Sequence, residues 1–282
     1  MDKLYKLAGA AGGSFSCFGA TFGLRTNDIA LFPTITSWLP PNTQRTKDLH
    51  VKTVYSFLSP PLSGNARVRR FYLLYENARL MKRGQQFVDL FDSFENAANF
   101  HVSQHAQSYA FVHAGVVAWN GLAIVIPGAS RSGKSTLVAA FLRAGADYLS
   151  DEFAVFDGVG RLHPFPRPIC LRTRRESKTK MTAEQLGAST ARDSVPLGMV
   201  IATQYCRATR WKPQGMSRGQ AILSLLANSM SGQRAPKSSF EILRTATHDC
   251  ISVSGRRGGA GEVVRACLRQ LDNNFPNGAG DF

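Results

Sequence analysis

Between Val125 and Phe141 the sequence reads VIPGASRSGKSTLVAAF, which is an apolar run, a glycine-rich loop and a run of helix formers. The segment from Gly128 to Ser135 satisfies the spacing G-x-x-x-x-G-K-[ST], and a strand before it and a helix after it are the context of a phosphate-binding loop. Gly128 and Gly133 let the backbone curl so that successive N–H groups point at phosphate oxygens, and the helix N-terminus adds its positive dipole end. The sequence therefore predicts a strand, loop and helix built around an anion.

The segments on either side of this loop predict an α/β domain. Two strand-like runs surround Asn120 and Gly121, a dipeptide that supplies the positive φ angles of a two-residue hairpin turn. The second run, Leu122 to Ile126, is continuously apolar, which is typical of a strand covered on both faces. After the loop, KSTLVAAFLRAGA predicts a helix that stops at Gly145, and YLSDEFAVFD predicts a further strand.

Weaker patterns organise the rest of the chain. In the first hundred residues, apolar runs between Pro-Pro and Ser-Gly clusters predict short strands, with one helix at QQFVDLFDSFENAANF. Later, VPLGMVIATQY predicts a buried strand, GQAILSLLANSM and GEVVRACLRQL predict helices, and the basic LRTRRESKTK predicts an exposed loop or a frayed helix start. We expect an α+β region over residues 1–105, whose role the sequence does not indicate, and a catalytic phosphate-loop domain over residues 106–282.

Composition narrows the class of protein. No apolar run approaches the roughly 20 residues of a membrane span, and the first residues lack the apolar core of a secretory signal, so we expect no membrane association. The five cysteines are scattered without a C-x-x-C pair, which predicts reduced, buried thiols in a cytoplasm. The formal net charge of +15 predicts attraction to an acidic partner, unless it only reflects a solvated arginine-rich surface.

The loop residues have distinct expected roles. Lys134 would reach the β and γ phosphates of a nucleotide, and Ser135 would bind Mg²⁺ through its hydroxyl. A phosphate loop alone does not distinguish a motor, a switch or a kinase. The predicted nucleotide-binding residues are Gly128, Ala129, Ser130, Arg131, Ser132, Gly133, Lys134, Ser135 and Thr136.

An acidic pair and a histidine are the other candidates for chemistry. In YLSDEF, one carboxylate would bind Mg²⁺, a role in which we place Asp151, while Glu152 would be free for other work. The alternative is a solvated strand end. His113 lies on the first strand of the hairpin, where its imidazole would come near the phosphates, although isolated histidines are more often hydrogen-bonded structural residues.

Taken together, FVHAGVV, WNG, GASRSGKST, YLSDEF and PFPRP resemble the HPr kinase/phosphorylase family, over about residues 109–171. The likeness is greater to HPr-kinase-related members than to the bifunctional regulators. It implies a phosphate-loop catalytic domain with a mixed sheet, ATP and Mg²⁺ as cofactors, and transfer of the γ-phosphoryl group to a serine hydroxyl.

The resemblance also implies residue roles. His113 matches the family histidine that precedes the loop, and Lys134 and Ser135 match the loop lysine and the Mg²⁺-bound serine. The second acid of the family pair takes the proton of the accepting serine, and Glu152 falls at that position. Family enzymes mostly have Asp there, so Asp151 remains the alternative base.

Departures from the family limit what is implied. The Leu-Glu-Ile-Arg-Gly signature of the bifunctional enzymes is replaced by LRTRRESKTKM, in which Glu176 is the only acid, so phosphorylase activity is not implied. A Pro-Val-Arg-Pro-Gly-Arg segment is matched only loosely by SVSGRRGG.

Four arginines are candidates for contacts with the transferred phosphate, because guanidinium groups suit that geometry. They are Arg167 in PFPRP and the cluster Arg172, Arg174 and Arg175. A surface role is the alternative for each.

The expected partner is a peptide or small protein with a serine hydroxyl, such as a ribosomally made peptide precursor, which related kinases phosphorylate. A nucleotide-binding switch or scaffold and a small-molecule kinase remain alternatives. Nucleic acid is disfavoured, since no basic stretch is interleaved with stacking aromatics. Family members assemble as oligomers, and the resemblance implies a homo-oligomer here as well.

Overall fold

The chain divides into two units, residues 1–107 and 108–282. Their secondary structure comes from a computed structural model, which describes residues 11–47, 51–60, 70–129, 132–172, 178–230 and 235–281. Both units carry helices and mixed sheets, as the predicted α/β class requires. No helix within the described ranges is long and apolar enough to cross a membrane.

The first unit is a six-stranded sheet with a helix packed on it. Its elements are β1 (Ala11–Cys17), β2 (Ala20–Thr26), α1 (Phe32–Ser37), β3 (Gln44–Thr46), β4 (Val54–Leu58), β5 (Tyr72–Glu76), β6 (Arg79–Gly84) and α2 (Phe91–His105). The strand order is β3-β1-β2-β4-β5-β6, and only β2 and β4 pair in parallel among these strands. The predicted helix is confirmed as a 3-10 turn followed by α2, whose Phe94 packs edge-on against Tyr55 and Phe57 with ring centroids 5.3 and 5.0 Å away.

The second unit is built around an eight-stranded mixed sheet. The strands of the whole unit, including two outside this sheet, are β7 (Ala110–Trp119), β8 (Leu122–Pro127), β9 (Asp147–Ser150), β10 (Phe153–Phe156), β11 (Leu162–His163), β12 (Ile169–Arg172), β13 (Lys178–Met181), β14 (Leu197–Tyr205), β15 (Gln214–Gly215) and β16 (Ile251–Arg257). Its helices are α3 (Lys134–Arg143), α4 (Arg218–Leu226), α5 (Pro236–Ala246) and α6 (Ala260–Asn274). The main strand order is β11-β10-β7-β8-β14-β16-β15, with β9 paired to β7, and β12 and β13 form a separate pair.

The hairpin and the loop helix have the predicted form. Asn120 and Gly121 take φ angles of 50° and 78°, and they join β7 to β8 through a two-residue turn. Every residue of β8 is buried, as predicted for a strand covered on both faces. Helix α3 begins after Gly133, which has a φ of 89°, and ends before Gly145, which has a φ of 98°. These predictions from local sequence are confirmed.

Helices cover both faces of the sheet. Side chains alternate between the two faces along each strand, so apolar side chains on both faces are buried against helices. Ile124 and Ile126 of β8 pack in a core cluster with α3 and α6, whereas Ala123 and Val125 pack in a second cluster with α4 and α5. The unit is therefore a three-layer α/β arrangement.

One edge of the sheet gathers several strand ends. Strands β8, β14 and β16 run parallel, so their carboxyl ends lie at the same edge, and β7 runs in the opposite direction. The strand predicted for YLSDEFAVFD is two strands: β9 ends opposite Val116 of β7 and β10 begins opposite His113. Asp151 and Glu152 form the break between them. A continuous strand was therefore a wrong prediction, and the break places both acids at the edge where β8 ends.

The basic segment LRTRRESKTK also departs from its prediction. Its two ends belong to β12 and β13, which pair antiparallel from Ile169 opposite Met181 to Arg172 opposite Lys178. An exposed loop or helix start was therefore wrong for these flanks, because a pairing partner within the same hairpin is a stronger constraint than local charge. Residues 173–177 lie outside the described part of the chain.

The cysteines are free thiols, as predicted. Burial of all five was a wrong prediction, because only Cys17 and Cys267 are buried and the other three are partly exposed.

A close approach between sheet and helix yields a first prediction. A Cβ atom added to Gly115 of β7 would lie 2.5 Å from Cγ2 of Val138 in α3, and Val138 is fully buried. We expect Gly115→Ala to lower the free energy of unfolding by roughly 1 to 3 kcal/mol, because a β-branched neighbour in a packed core cannot move aside cheaply. Urea denaturation would measure this. Gly158→Ala is the matched control, since no heavy atom of the described residues lies within 4 Å of the added atom; equal stabilities for the two variants would contradict the prediction.

Candidate functional site

The loop that follows β8 is held by hydrogen bonds on both sides. The N–H of Gly128 donates to the carbonyl of His113 on β7 at 3.3 Å, and the N–H of Ser132 donates to the carbonyl of Ala129 at 3.3 Å. Gly133 precedes α3 in the left-handed region. Ser130 and Arg131 of the predicted loop lie outside the described residues. The described residues before and after these two lead from a buried strand into a helix N-terminus.

Lys134 is the first residue of α3 and its side chain folds back into the loop. The residue is only 7% exposed, and its Nζ donates to the carbonyls of Gly128 and Ala129 at 2.6 and 2.9 Å. Burial lowers the pKa of Lys134, while the charges of Asp151 and Glu152 act in the opposite direction. The loop thus keeps a cation in its centre.

Ser135 connects the loop to the acidic pair. It is partly buried, and its side chain hydrogen-bonds the carboxyl of Asp151, whereas Thr136 is exposed. The main chain of Cys170 forms a second hydrogen bond to the same carboxyl. The Oδ1 atom of Asp151 is buried and has no hydrogen-bond partner within the described ranges. Burial raises the pKa of Asp151 from 3.8 to about 6, although Ser135 and Lys134 oppose this rise.

An unsatisfied buried carboxylate oxygen beside a serine hydroxyl is a donor set that fits Mg²⁺, which prefers hard oxygen ligands. Groups of three or more His, Cys, Asp or Glu residues able to hold a metal do not occur among the described residues. Asp151 and Ser135 therefore supply two oxygen ligands of the kind that Mg²⁺ takes, and water or ligand oxygens would have to complete its coordination.

Glu152 and His113 lie beside this pair but in a wetter environment. Oε1 of Glu152 lies 3.8 Å from Nε2 of His113, and the two side chains are 45% and 25% exposed. His113 is fixed through its main chain, because its N–H donates to the carbonyl of Asn228 at 2.8 Å and its carbonyl accepts from Gly128. Burial and the charge of Lys134 lower the pKa of His113, although Glu152 and the main chain of Gly128 act to raise it. The two adjacent acids thus differ: Asp151 is held inside and Glu152 is accessible.

The predicted arginines are less completely placed. The carbonyl of Arg167 accepts a hydrogen bond from the Tyr148 hydroxyl at 2.7 Å, and Cys170, three residues further on, contacts Asp151. The segment that carries Arg167 therefore passes beside the acidic pair. The side chain of Arg172, and all of Arg174, Arg175 and Glu176, lie outside the described residues. Of the predicted residues, the structure brings together His113, Lys134, Ser135, Asp151 and Glu152.

One residue at the loop was not predicted. Arg257, the last residue of β16, is 2% exposed and donates from Nη2 to the carbonyl of Gly133 at 2.8 Å. Its only sequence signal is its place in SVSGRRGG, because the contact depends on the pairing of β14 with β16 far along the chain.

The buried carboxyl of Asp151 yields a second prediction. Its pKa is raised in the folded protein, so between about pH 4 and 6 the folded state holds a proton that the unfolded chain releases, and stability falls as the pH rises through that range. Above this pH range the ionised carboxyl lowers the free energy of unfolding by roughly 2 to 3 kcal/mol. We expect Asp151→Asn to be more stable than the wild type at pH 7.5 in EDTA, with the difference vanishing near pH 4.

Urea denaturation at the two pH values would measure this difference. Addition of Mg²⁺ with nucleotide should raise the stability of the wild type more than that of Asp151→Asn, because only the carboxylate gains a counter-charge. A variant less stable than the wild type at both pH values would contradict the prediction.

Comparisons of the sequence with models of known protein families and with curated proteins found no match.

Proposed function

We propose that this protein is an Mg²⁺- and ATP-dependent kinase of the HPr-kinase-like phosphate-loop type, which transfers the γ-phosphoryl group to a serine hydroxyl of a peptide or small protein. The observation that carries the proposal is the contrast between two neighbouring carboxyls beside the loop. Asp151 is hydrogen-bonded to Ser135 and has a buried oxygen without a hydrogen-bond partner among the described residues, whereas Glu152 is 45% exposed. Adjacent acids in different environments are suited to different roles, here metal binding and proton acceptance.

In the proposed mechanism the loop binds the phosphates of ATP. The N–H groups at the N-terminus of α3 would face the phosphate oxygens, and Lys134 would exchange its two loop carbonyls for β and γ oxygens. Mg²⁺, held by Ser135 and Asp151, would neutralise developing charge on those oxygens. Most of the rate enhancement then comes from positioning and electrostatic stabilisation.

The transfer itself needs one proton acceptor. The serine oxygen forms a bond to the γ phosphorus, the bond between that phosphorus and the β–γ bridging oxygen breaks, and ADP leaves with the bond electrons. Glu152 takes the proton of the serine hydroxyl, because its carboxylate is accessible from solvent and next to the loop. His113, 3.8 Å from that carboxylate, orients it or contacts the γ phosphate. Arg167 is assigned a contact to the transferred phosphate because its segment passes beside Asp151.

The acceptor class rests on other support. The likeness of GASRSGKST and YLSDEF to HPr-kinase-related proteins favours a serine of a peptide or small protein, and the net charge of +15 favours an acidic one. Unpaired thiols and the use of ATP favour the cytoplasm. The same likeness favours a homo-oligomer.

A transfer assay tests this function. The purified protein would be incubated with Mg²⁺ and γ-labelled ATP, with and without acidic serine-containing peptides, and the labelled amino acid identified after hydrolysis. We expect label on serine, lost when EDTA is added or when the acceptor serine is replaced by alanine. ATP that binds but is never transferred would favour a nucleotide switch or scaffold. Label found only on small hydroxyl compounds would favour a small-molecule kinase.

A further inference from the structure

Two side chains lie beside the loop on the side away from the acidic pair. Tyr205 and Arg257 end strands β14 and β16, and they are directly paired in the parallel ladder. Four residues earlier on the same strands, Ile201 and Val253 pack in the core cluster that contains α3. Because side chains alternate along a strand, Tyr205 and Arg257 project on this same face of the sheet, where the N-terminus of α3 lies.

Arg257 is a buried cation fixed to the loop. Its Nη2 donates to the carbonyl of Gly133 and its Nη1 donates to the carbonyl of Gly258, at 2.8 and 3.3 Å. Its Nε is buried without a hydrogen-bond partner, and no ion pair joins it to a carboxylate, in the parts of the chain that the structure describes. A buried guanidinium without an acid is costly, so this region is prepared for an anionic ligand.

Gly133 brings the loop against both side chains. A Cβ atom added there would lie 2.6 Å from Nη2 of Arg257 and 3.7 Å from Cβ of Tyr205, and the φ angle of 89° already disfavours other residues. Tyr205 is therefore immediate to the end of the phosphate loop and the beginning of α3.

Tyr205 offers an aromatic surface at this position. The residue is 56% exposed, and Cζ of Arg257 lies over its ring at 5.7 Å from the centroid. The guanidinium lies on one side of the ring, and a flat partner would stack on the opposite face. A cation over an aromatic ring attracts it and favours one orientation of the side chain.

The strand order sets the direction of a bound nucleotide. The order β10-β7-β8-β14-β16 places the acidic pair, between β9 and β10, beyond β7 on one side of the loop strand, and Tyr205 on the other side. Three strand spacings of about 4.8 Å separate them. A nucleotide whose terminal phosphate lies at Asp151 and Glu152 therefore extends its nucleoside towards Tyr205.

We propose that the exposed face of Tyr205 is the platform on which the nucleobase of the bound nucleotide stacks. The inference rests on the proposed kinase function and adds the site of the base, which the phosphate loop does not define. Aromatic rings stack on bases through their faces, and the contact is worth a measurable part of the affinity.

Calorimetric titration with two probes tests the platform. Mg²⁺-ATP carries a base, and inorganic triphosphate with Mg²⁺ carries only the phosphates. We expect Tyr205→Ala to weaken ATP binding roughly 10- to 100-fold while triphosphate affinity stays unchanged. Tyr205→Phe should bind both as the wild type does, because the ring remains. Phe240→Ala, which removes a 41% exposed aromatic from α5 on the other face of the sheet, is the matched control and should change neither affinity.

The outcomes separate the platform from the function on which it rests. If wild-type protein binds both probes but Tyr205→Ala weakens both equally, or weakens neither, the stacking site is overturned and the kinase proposal stands. Wild-type protein that binds neither ATP nor triphosphate overturns both. Since Tyr205 is exposed, we expect Tyr205→Ala to keep the melting temperature of the wild type. A retained melting temperature excludes misfolding as the cause of a lost affinity.

Discussion

Lys134→Met is expected to reduce phosphoryl transfer by about 10³-fold or more, the loss that follows removal of a preorganised charge from a transition state. Lys134 is a buried cation of the loop, and its Nζ lies 2.6 and 2.9 Å from the two carbonyls that begin the loop. In the proposed mechanism the ammonium group of Lys134 moves to contact the β and γ oxygens, where negative charge develops as the bridging bond breaks. Methionine retains the length and the apolar stem of the side chain without that charge.

The same change should leave the fold intact. Burial lowers the pKa of Lys134, so the charged form is disfavoured in the folded protein, and a neutral side chain relieves that cost. Gly128 and Ala129, whose carbonyls lose the lysine, are at least partly exposed and can accept hydrogen bonds from water. We therefore expect a melting temperature equal to or above that of the wild type.

Label transfer from γ-labelled ATP to a serine peptide measures the loss, and calorimetric titration with Mg²⁺-ATP shows how much of it comes from binding. Lys237→Met is the matched control, because Lys237 is an exposed lysine on α5. Transfer by Lys134→Met at a rate near that of the control would contradict the assignment of Lys134 to the phosphates.

The core of the site could be predicted because its signals are local. The φ angles of 50° and 78° at Asn120 and Gly121, and the helix that begins after Gly133, follow from the conformational preferences of a few neighbouring residues. Once the hairpin and loop form, β7 and β8 are neighbours, and His113 must lie near Gly128. Local rules thus explain why His113 and Lys134 come together.

The other half of the site depends on pairings between distant segments. Arg257 reaches Gly133 only because β16 pairs with β14 and β14 pairs with β8, and no local pattern specifies that order. The break at Asp151 and Glu152 likewise depends on where β9 and β10 meet β7. In YLSDEFAVFD the polar residues Ser150, Asp151 and Glu152 interrupt the apolar ones, but this pattern alone does not distinguish a polar stretch of one strand from a break between two strands.

Within the site, the difference between the two acids follows from this break. If Asp151 and Glu152 belonged to one regular strand, their side chains would point to opposite faces of the sheet. Instead, Oδ1 of Asp151 would lie 3.8 Å from a Cβ atom added to Gly115, on the face that carries α3, and Glu152 lies 3.8 Å from His113. The bend therefore lets two consecutive carboxyls serve one reaction from different depths.

Glu152→Gln is expected to lower the turnover number by roughly 10² to 10⁴-fold, the range of general-base catalysis, while the dissociation constant of Mg²⁺-ATP stays nearly unchanged. Glutamine keeps the shape of the side chain but cannot take the proton of the serine. Asp151→Asn should instead weaken Mg²⁺-dependent ATP binding, because the buried carboxylate oxygen that fits the ion is lost. Parallel measurement of turnover and binding in both variants distinguishes a proton acceptor from a metal ligand.

Glu241→Gln is the control for the removal of an exposed carboxylate, since Glu241 pairs with Arg244 at 2.8 Å on α5 and has no assigned role. It should transfer phosphate as the wild type does. If Asp151→Asn retained Mg²⁺-ATP and lost turnover, while Glu152→Gln kept its turnover, the base would be Asp151, and its burial would have to be relieved when the acceptor binds. If the wild type binds ATP without measurable transfer, and Glu152→Gln binds ATP with the same affinity, the exposed acid has no catalytic task. A nucleotide switch would then explain the site better than a kinase.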